Sequence, residues 1–318
     1  MFATSPAKIG IDAGELSGST TTGVTATDSI DDIIALAPDC VLYMAAALDA
    51  AEVTRLLEAG INIVTTRGEF HRPASMDAEL RDRIERACRV GGASIHSTGS
   101  SPGFISEALP LVLASIQRRI DQITIDEFAD LSQRDSPDLL FEVMGFGAAA
   151  QEFADYRLEY LRGSFGPSLE LLAESLGVPL DSVEVAGEVG VTTREVTIAA
   201  GVLLEGTVGA QRITVSGMRD GRPVLRFRAN WYCTADVEPQ WDLLATGWRV
   251  VVDGDAPLSV DVNMPIPLDR MAETTPGYTA NRAVNAVAAV CAADPGIRTS
   301  VELPQIIAQL LPLDAPIR

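Results

Sequence analysis

The spacing of apolar residues changes near residue 119, and that change constrains the fold more than any other feature of the chain. Upstream, short apolar runs alternate with segments whose hydrophobic residues recur at i, i+3 and i+4. Residues 39–45, 61–66 and 94–98 read as buried strands, and 28–36, 48–59 and 76–90 as helices. Val53, Leu56 and Leu57 share one face of the middle helix, which Gly60 stops. Strands and helices in alternation, joined by short connections, describe a parallel sheet wrapped by helices, a doubly wound fold. Such sheets bind ligands outside the carboxyl ends of their strands. The loops after Ala45, Thr66 and Thr98 are therefore expected on one rim, with small residues that let a cofactor approach.

Downstream, 122–129, 182–186, 195–199, 207–217, 224–233 and 248–253 read as strands of an antiparallel sheet, one face on helices and the other open. Residues 219–223, RDGRP, are a hairpin signal. Helices are expected over about 136–161 and 167–176, and a last one over 279–292 returns to the first sheet. The Gly- and Ser-rich stretch 99–103 is a tight loop between strand 94–98 and a helix starting at Phe104. Such a loop bares backbone N–H groups at the positive end of a helix dipole, where something anionic or polar can sit.

The 318 residues carry 24 basic and 44 acidic side chains, a net charge of −20. Phosphate backbones and anionic membranes are repelled by such a surface, so no nucleic acid and no membrane is expected as partner. Lys8 is the one lysine; every other basic residue is Arg. Cys40, Cys88, Cys233 and Cys291 show no metal-ligand spacing and read as reduced thiols of a cytoplasmic protein. The two histidines, His71 and His96, have no acids at ligand spacing, so no metal is expected. Neither a signal peptide nor an 18-residue apolar run is present.

Six segments, in order, carry a family resemblance: 5–16 (SPAKIGIDAGEL), 39–43 (DCVLY), 65–73 (TTRGEFHRP), 99–104 (GSSPGF), 143–147 (VMGFG) and 277–285 (GYTANRAVN). Together they resemble the dihydrodipicolinate-reductase-like oxidoreductases, and within them the branch of the 2,4-diaminopentanoate dehydrogenases and native amine dehydrogenases. The resemblance implies α/β architecture: a Rossmann-like parallel sheet, then an α+β substrate unit with a mostly antiparallel, open-faced sheet. The dinucleotide-binding part is expected over 1–119, with 277–318 packing back on it, and the substrate and dimerisation part over 120–276. Members of the family begin with a strand, a Gly-rich phosphate loop and a helix. Met1 falls about where the second strand ends, so this N-terminal unit is expected to be missing, and no other GxGxxG replaces it.

The resemblance also implies chemistry. It places an acid in the loop after strand 61–66, and Glu69 matches it as the catalytic proton carrier of reductive amination. Past the second strand the family meets the adenosine ribose. Ser5 and Lys8 stand there with no Asp or Glu nearby, which favours NADP, with NAD possible. Ala45, Thr66, Thr98 and Gly99 complete the expected cofactor contacts. Phe104, Phe146, Trp231 and Thr279 are candidate walls of the substrate pocket, with Asn230 and Asn285 as further polar contacts. No loop clusters arginines, which argues for a small neutral or amino substrate. His96 reads as a satisfied core residue, and the sequence leaves the role of His71 open.

The expected function is an NADP-dependent oxidoreductase acting on the C–N centre of a small amine or imine, as a homodimer. Two alternatives stay open. One is a catalytically silent chain serving as a binding or partner subunit; the other is a carbonyl or dihydrodipicolinate-type imine reductase.

Overall fold

The computed structural model describes residues 1–150, 153 and 155–309. Its strands are β1 (Cys40–Tyr43), β2 (Asn62–Thr65), β3 (Ser94–Ser97), β4 (Ile120–Asp130), β5 (Ser182–Thr192), β6 (Val196–Ile198) and β7 (Gly201–Leu203). They continue with β8 (Val208–Arg219), β9 (Arg222–Tyr232), β10 (Val237–Glu238), β11 (Gly247–Gly254), β12 (Leu258–Asn263) and β13 (Gly296–Arg298). The α-helices are α1 (Ala13–Leu16), α2 (Ile30–Ala35), α3 (Ala50–Glu58), α4 (Ala78–Gly91), α5 (Leu109–Ala114), α6 (Asp155–Ser175), α7 (Leu268–Thr274) and α8 (Pro276–Cys291).

A parallel sheet runs in the order β1-β2-β3-β13. Its middle strands are buried on both faces, as parallel strands are when helices cover both sides, although β3 sets Ser94 and His96 on one of them. Ile63 and Ile95 pack against Val53, Leu56, Leu57 and Ile84 of α3 and α4. The neighbouring residue Val64 points the other way, onto Ala283, Ala286 and Val290 of α8. Helix α8 thus packs on the first sheet, and β13 joins that sheet beyond β3, a strand the sequence pattern did not reveal. β1 departs from the expected buried strand. It is an edge strand in which Tyr43 is buried and Leu42 is 43% exposed.

Side-chain caps start the helices where expected: Ser29 accepts from Asp32 N–H at α2, Asp49 from Ala51 and Glu52 N–H at α3, and Asp77 from Leu80 N–H at α4. Helix α4 ends in two glycines. Gly92 takes the left-handed conformation (φ 67°), and at Gly91 a Cβ would sit 1.9 Å from the Leu57 carbonyl oxygen. Without a side chain there, α3 and α4 close on each other.

The second sheet has seven strands in the order β10-β5-β8-β9-β4-β11-β12, all antiparallel neighbours except β4 and β9. The RDGRP hairpin joins β8 to β9, with Asp220 and Gly221 at positive φ, the pairing a two-residue turn of that hand requires. One face buries Ile125, Val215, Phe227 and Val250 against Leu161, Phe165, Leu169 and Leu172 of α6. Phe165 stacks on Phe227 with centroids 3.8 Å apart. The opposite face carries the bidentate pair Arg228–Asp126 and the pair Arg249–Asp261, and it is the polar, open side of the sheet.

The helices between the sheets differ from expectation. Residues 138–143 form one helical turn, Gly145 and Gly147 at positive φ break it, and α6 then runs unbroken from Asp155 through Pro167 to Ser175. Residues 151, 152 and 154 of the expected first helix lie outside the described residues, as do residues 310–318 of the segment expected to pack back on the first sheet. Pro167 was expected to open a helix because a proline is tolerated there. Inside α6 its missing N–H leaves the Gly163 carbonyl without its helical donor. Packing on the sheet overrides the local break.

Candidate active site

The loops after β1, β2 and β3 meet on one rim, as the doubly wound pattern requires. They brace one another: Arg67 Nη1 donates to the Ala46 carbonyl at 2.6 Å, Ser97 Oγ to the Arg67 carbonyl at 2.7 Å and Thr98 N to the Thr65 carbonyl at 2.9 Å. Gly99 and Thr98 are buried, and Thr66 and Ala45 are partly buried beside them. Gly103 (φ 118°) lies so close to Thr98 that a Cβ would meet its Oγ1 at 3.0 Å. From below, Thr279 of α8 holds the loop, its Oγ1 2.7 Å from Ser100 Oγ. Ser5 and Lys8 flank the short turn Pro6–Lys8 and are exposed.

A cavity of about 240 Å³ opens where this rim meets the second sheet. Ser100 and Ser101 form its edge on the rim side, and Glu127, Asp130 and Arg134 bring charge from the end of β4 and the turn beyond. Trp248 at the start of β11 and Tyr278 of α8 close the wall, with apolar residues of α7. Glu127 is half-buried and held by two indoles: Trp231 Nε1 donates to Oε1 at 3.2 Å and Trp248 Nε1 to Oε2 at 3.1 Å. Trp248 is fixed in turn by edge contacts with Phe104 and Tyr278, 6.5 and 6.3 Å between centroids. Two buried atoms of the lining, Ser101 Oγ and Arg134 Nε, meet no hydrogen-bond partner among the described residues. Native interiors leave few such atoms without a reason. Two carboxylates, a guanidinium whose Nε has no partner among the described residues and a hydroxyl in the same position thus line one small cavity.

The structure distributes the sequence candidates around this cavity rather than in it. Glu69 sits on the short turn Gly68–Phe70 of the rim, its carboxylate paired with Arg67 and 36% exposed. A Cβ on Gly68 would lie 3.0 Å from the Gly163 carbonyl, the one Pro167 leaves free, so the Glu69 turn is seated on α6. Phe104 supports Trp248, Trp231 supports Glu127 and Thr279 supports Ser100. Phe146 belongs to a separate core with Leu140, Leu203 and Val208. Asn230 is buried and donates to Asp126.

His96 is satisfied only on one side. Its Nδ1 binds the Arg298 carbonyl at 2.7 Å, Nε2 has no partner among the described residues, and burial pushes its pKa down to about 4. His71 is fully buried, with Nδ1 2.6 Å from Glu107 Oε1. Sequence reasoning missed Glu127, though a signal existed. Positions 123 and 125 are isoleucines on the helix-covered face, and strand periodicity puts an acid at the next position on it.

Comparison with known proteins agrees with the fold. Residues 104–313 match the model of the 2,4-diaminopentanoate dehydrogenase C-terminal domain. An amine dehydrogenase from Streptomyces virginiae is 29% identical over 317 residues, covering 94% of this chain and 87% of the relative. A 2,4-diaminopentanoate dehydrogenase from Acetoanaerobium sticklandii is 24% identical, covering 87% of this chain and 75% of the relative. The structure of an amine dehydrogenase from Mycobacterium smegmatis superposes with a TM-score of 0.73 at 22% identity, over 97% of this chain and 89% of that one. With the matched model spanning about two thirds of the chain, from Phe104 through the whole second sheet, the protein belongs to the 2,4-diaminopentanoate dehydrogenase family.

Proposed function

We propose that the chain is an NADP-dependent oxidoreductase acting on the C–N centre of a small amine or imine held in the cavity beside Glu127. The names of the curated relatives support the reaction class. The observation that carries the reading is the cavity itself, where two orphaned polar atoms and an indole-held carboxylate face a space of about 240 Å³ edged by the rim loop. A carboxylate suits a cationic amine or iminium, and the Arg134 guanidinium suits an anionic group elsewhere on the same molecule.

The rim fits a nicotinamide cofactor, because Ser100 and Ser101 belong both to the loop after β3 and to the cavity edge. Thr66, Thr98, Gly99 and Ala45 would line it, and Ser5 and Lys8 would meet the 2′-phosphate. Bound there, the nicotinamide supplies or accepts the hydride. The chain's own residues then bind and orient the amine and carry protons. Glu69 takes a proton from ammonium or the carbinolamine nitrogen and returns it to the departing hydroxyl. Residues 1–119 with 277–318 act as the cofactor unit and 120–276 as the substrate unit, and two copies pair through the open sheet face in the cytoplasm. Among the described residues no helix is long and apolar enough to cross a membrane.

Turnover of NADPH with a small ketone, with and without ammonia, tests the reading. Ammonia-dependent oxidation that Glu69→Gln lowers by about 100-fold is expected. Ammonia-independent turnover would assign carbonyl reduction instead, and absence of NADPH binding would assign the silent-subunit role.

A further inference from the structure

Beneath the rim lies a polar cluster that the cavity does not use. Glu107, on the helical segment after the Gly99 loop, is 1% exposed and accepts three hydrogen bonds. His71 Nδ1 donates to Oε1 at 2.6 Å, Ser168 Oγ to the same oxygen at 2.7 Å, and Ser300 Oγ to Oε2 at 2.6 Å. The chain of donors continues outward. Ser106 Oγ lies 2.6 Å from Ser168 Oγ and accepts from Gly103 N–H at 2.9 Å, so each hydroxyl passes its proton toward the carboxylate. Burial would push the Glu107 carboxyl up, but His71 and the hydroxyl donors outweigh it and hold the group below the usual carboxylate range. An ionised carboxylate only accepts, so the proton on His71 sits on Nδ1.

Glu107 and its three partners come from four separate parts of the chain: His71 from the turn after β2, Glu107 from the segment after β3, Ser168 from helix α6 and Ser300 from the stretch after β13. His71 stands two residues past Glu69 and closes its turn, with His71 N donating to the Gly68 carbonyl. Three contacts hold that turn. Phe70 is sunk in the first core, Gly68 rests on the α6 backbone, and His71 reaches Glu107. The apolar and backbone contacts set depth; the directed His71 bond, relayed through Ser168 of α6, sets orientation relative to the substrate sheet.

We propose that His71 is a positioning residue which, through Glu107 and Ser168, aims the Glu69 turn at the cavity. The inference rests on the catalytic reading of Glu69. The experiment compares Glu69→Gln, His71→Leu, His71→Asn and Ser300→Ala in the full chain, reading kcat and KM for ammonia-dependent turnover against pH, NADPH affinity and thermal midpoint. His71→Leu is expected to lower kcat by roughly 10- to 100-fold and to shift the limb of the kcat–pH profile that Glu69→Gln abolishes, with NADPH affinity unchanged within twofold. His71→Asn, whose Nδ2 can take the place of Nδ1, restores most of the rate, and Ser300→Ala gives a loss under tenfold. A folded His71→Leu protein with wild-type kcat and pH profile, changed only in thermal midpoint, overturns the proposal. If that variant does not fold, Ser300→Ala with wild-type kcat and an unshifted pH profile overturns it equally, His71→Asn serving only as the rescue control. Full turnover in Glu69→Gln rejects the Glu69 reading and this proposal together, whereas loss there beside unchanged His71 and Ser300 variants rejects this proposal alone.

Discussion

His96 makes the stability of the first sheet a function of pH. It lies in β3 with 1% of its surface exposed, its Nδ1 on the Arg298 carbonyl of β13 and no partner for Nε2 among the described residues, and burial depresses its pKa from 6.5 to about 4. Between those values the unfolded chain carries a proton on this ring and the folded chain does not. Protons therefore favour unfolding there. The stability is fully present above about pH 6.5 and is lost as pH falls toward 4, and the gap is worth about 3 kcal/mol. Replacing the ring with Asn keeps a donor for the Arg298 carbonyl and removes the titration. Urea unfolding of wild type and His96→Asn at half-unit steps from pH 7 to 4 isolates the effect, because other groups cancel in the difference. The wild type should lose about 3 kcal/mol relative to the variant across that range. A difference that stays flat, or a His96 resonance titrating near 6.5 in the folded protein, would refute the reasoning.

Two other perturbations follow from single contacts. Gly91→Ala forces a Cβ to within 1.9 Å of the Leu57 carbonyl oxygen and is expected to cost about 2–3 kcal/mol, whereas Gly163→Ala, at an exposed position of α6 with nothing within 4 Å, should gain up to about 1 kcal/mol; denaturant midpoints decide both. Arg134→Gln should lower kcat/KM about 10- to 100-fold for substrates that carry a carboxylate and leave neutral amines nearly unchanged, since the guanidinium meets no protein acceptor at Nε; equal losses for both would detach Arg134 from substrate recognition.

What the sequence made legible was periodic. Val53, Leu56 and Leu57 repeat on a helical face, Ile123 and Ile125 on a strand face, and RDGRP has the residues its turn demands, so the two sheets and their helices could be read from local pattern. β13 is only three residues long and gains its place from pairing with Ser94, Ile95 and His96, some 200 positions away. No local pattern carries that. Pro167 misled for a related reason. Its backbone penalty is local, but the burial of Leu161, Phe165, Leu169 and Leu172 that keeps α6 intact belongs to the sheet. The candidate site was legible as a rim and as family motifs. The cavity was not, because Glu127, Arg134, Trp248 and Tyr278 meet only once the second sheet has folded against α7 and α8.

Two acids on faces that are otherwise apolar, Glu107 and Glu127, differ in how the fold holds their charge. Glu107 and Glu127 both stand where periodicity calls for an apolar residue, and both are held by side-chain donors. Glu107 is enclosed and receives three charge-assisted bonds, so it has little capacity left for a ligand and its removal would strand His71 and two serines. Among the described residues Glu127 accepts from two indole N–H groups, and it lines the cavity together with Arg134 and Ser101. An indole cannot ionise and cannot neutralise the carboxylate. Glu127 is thus oriented by neutral donors, and under the proposed function a cationic amine in the cavity would bring the complementary charge. A chain with 44 acidic residues has no shortage of carboxylates; what marks this one is that its donors are neutral and its open side faces a cavity instead of solvent.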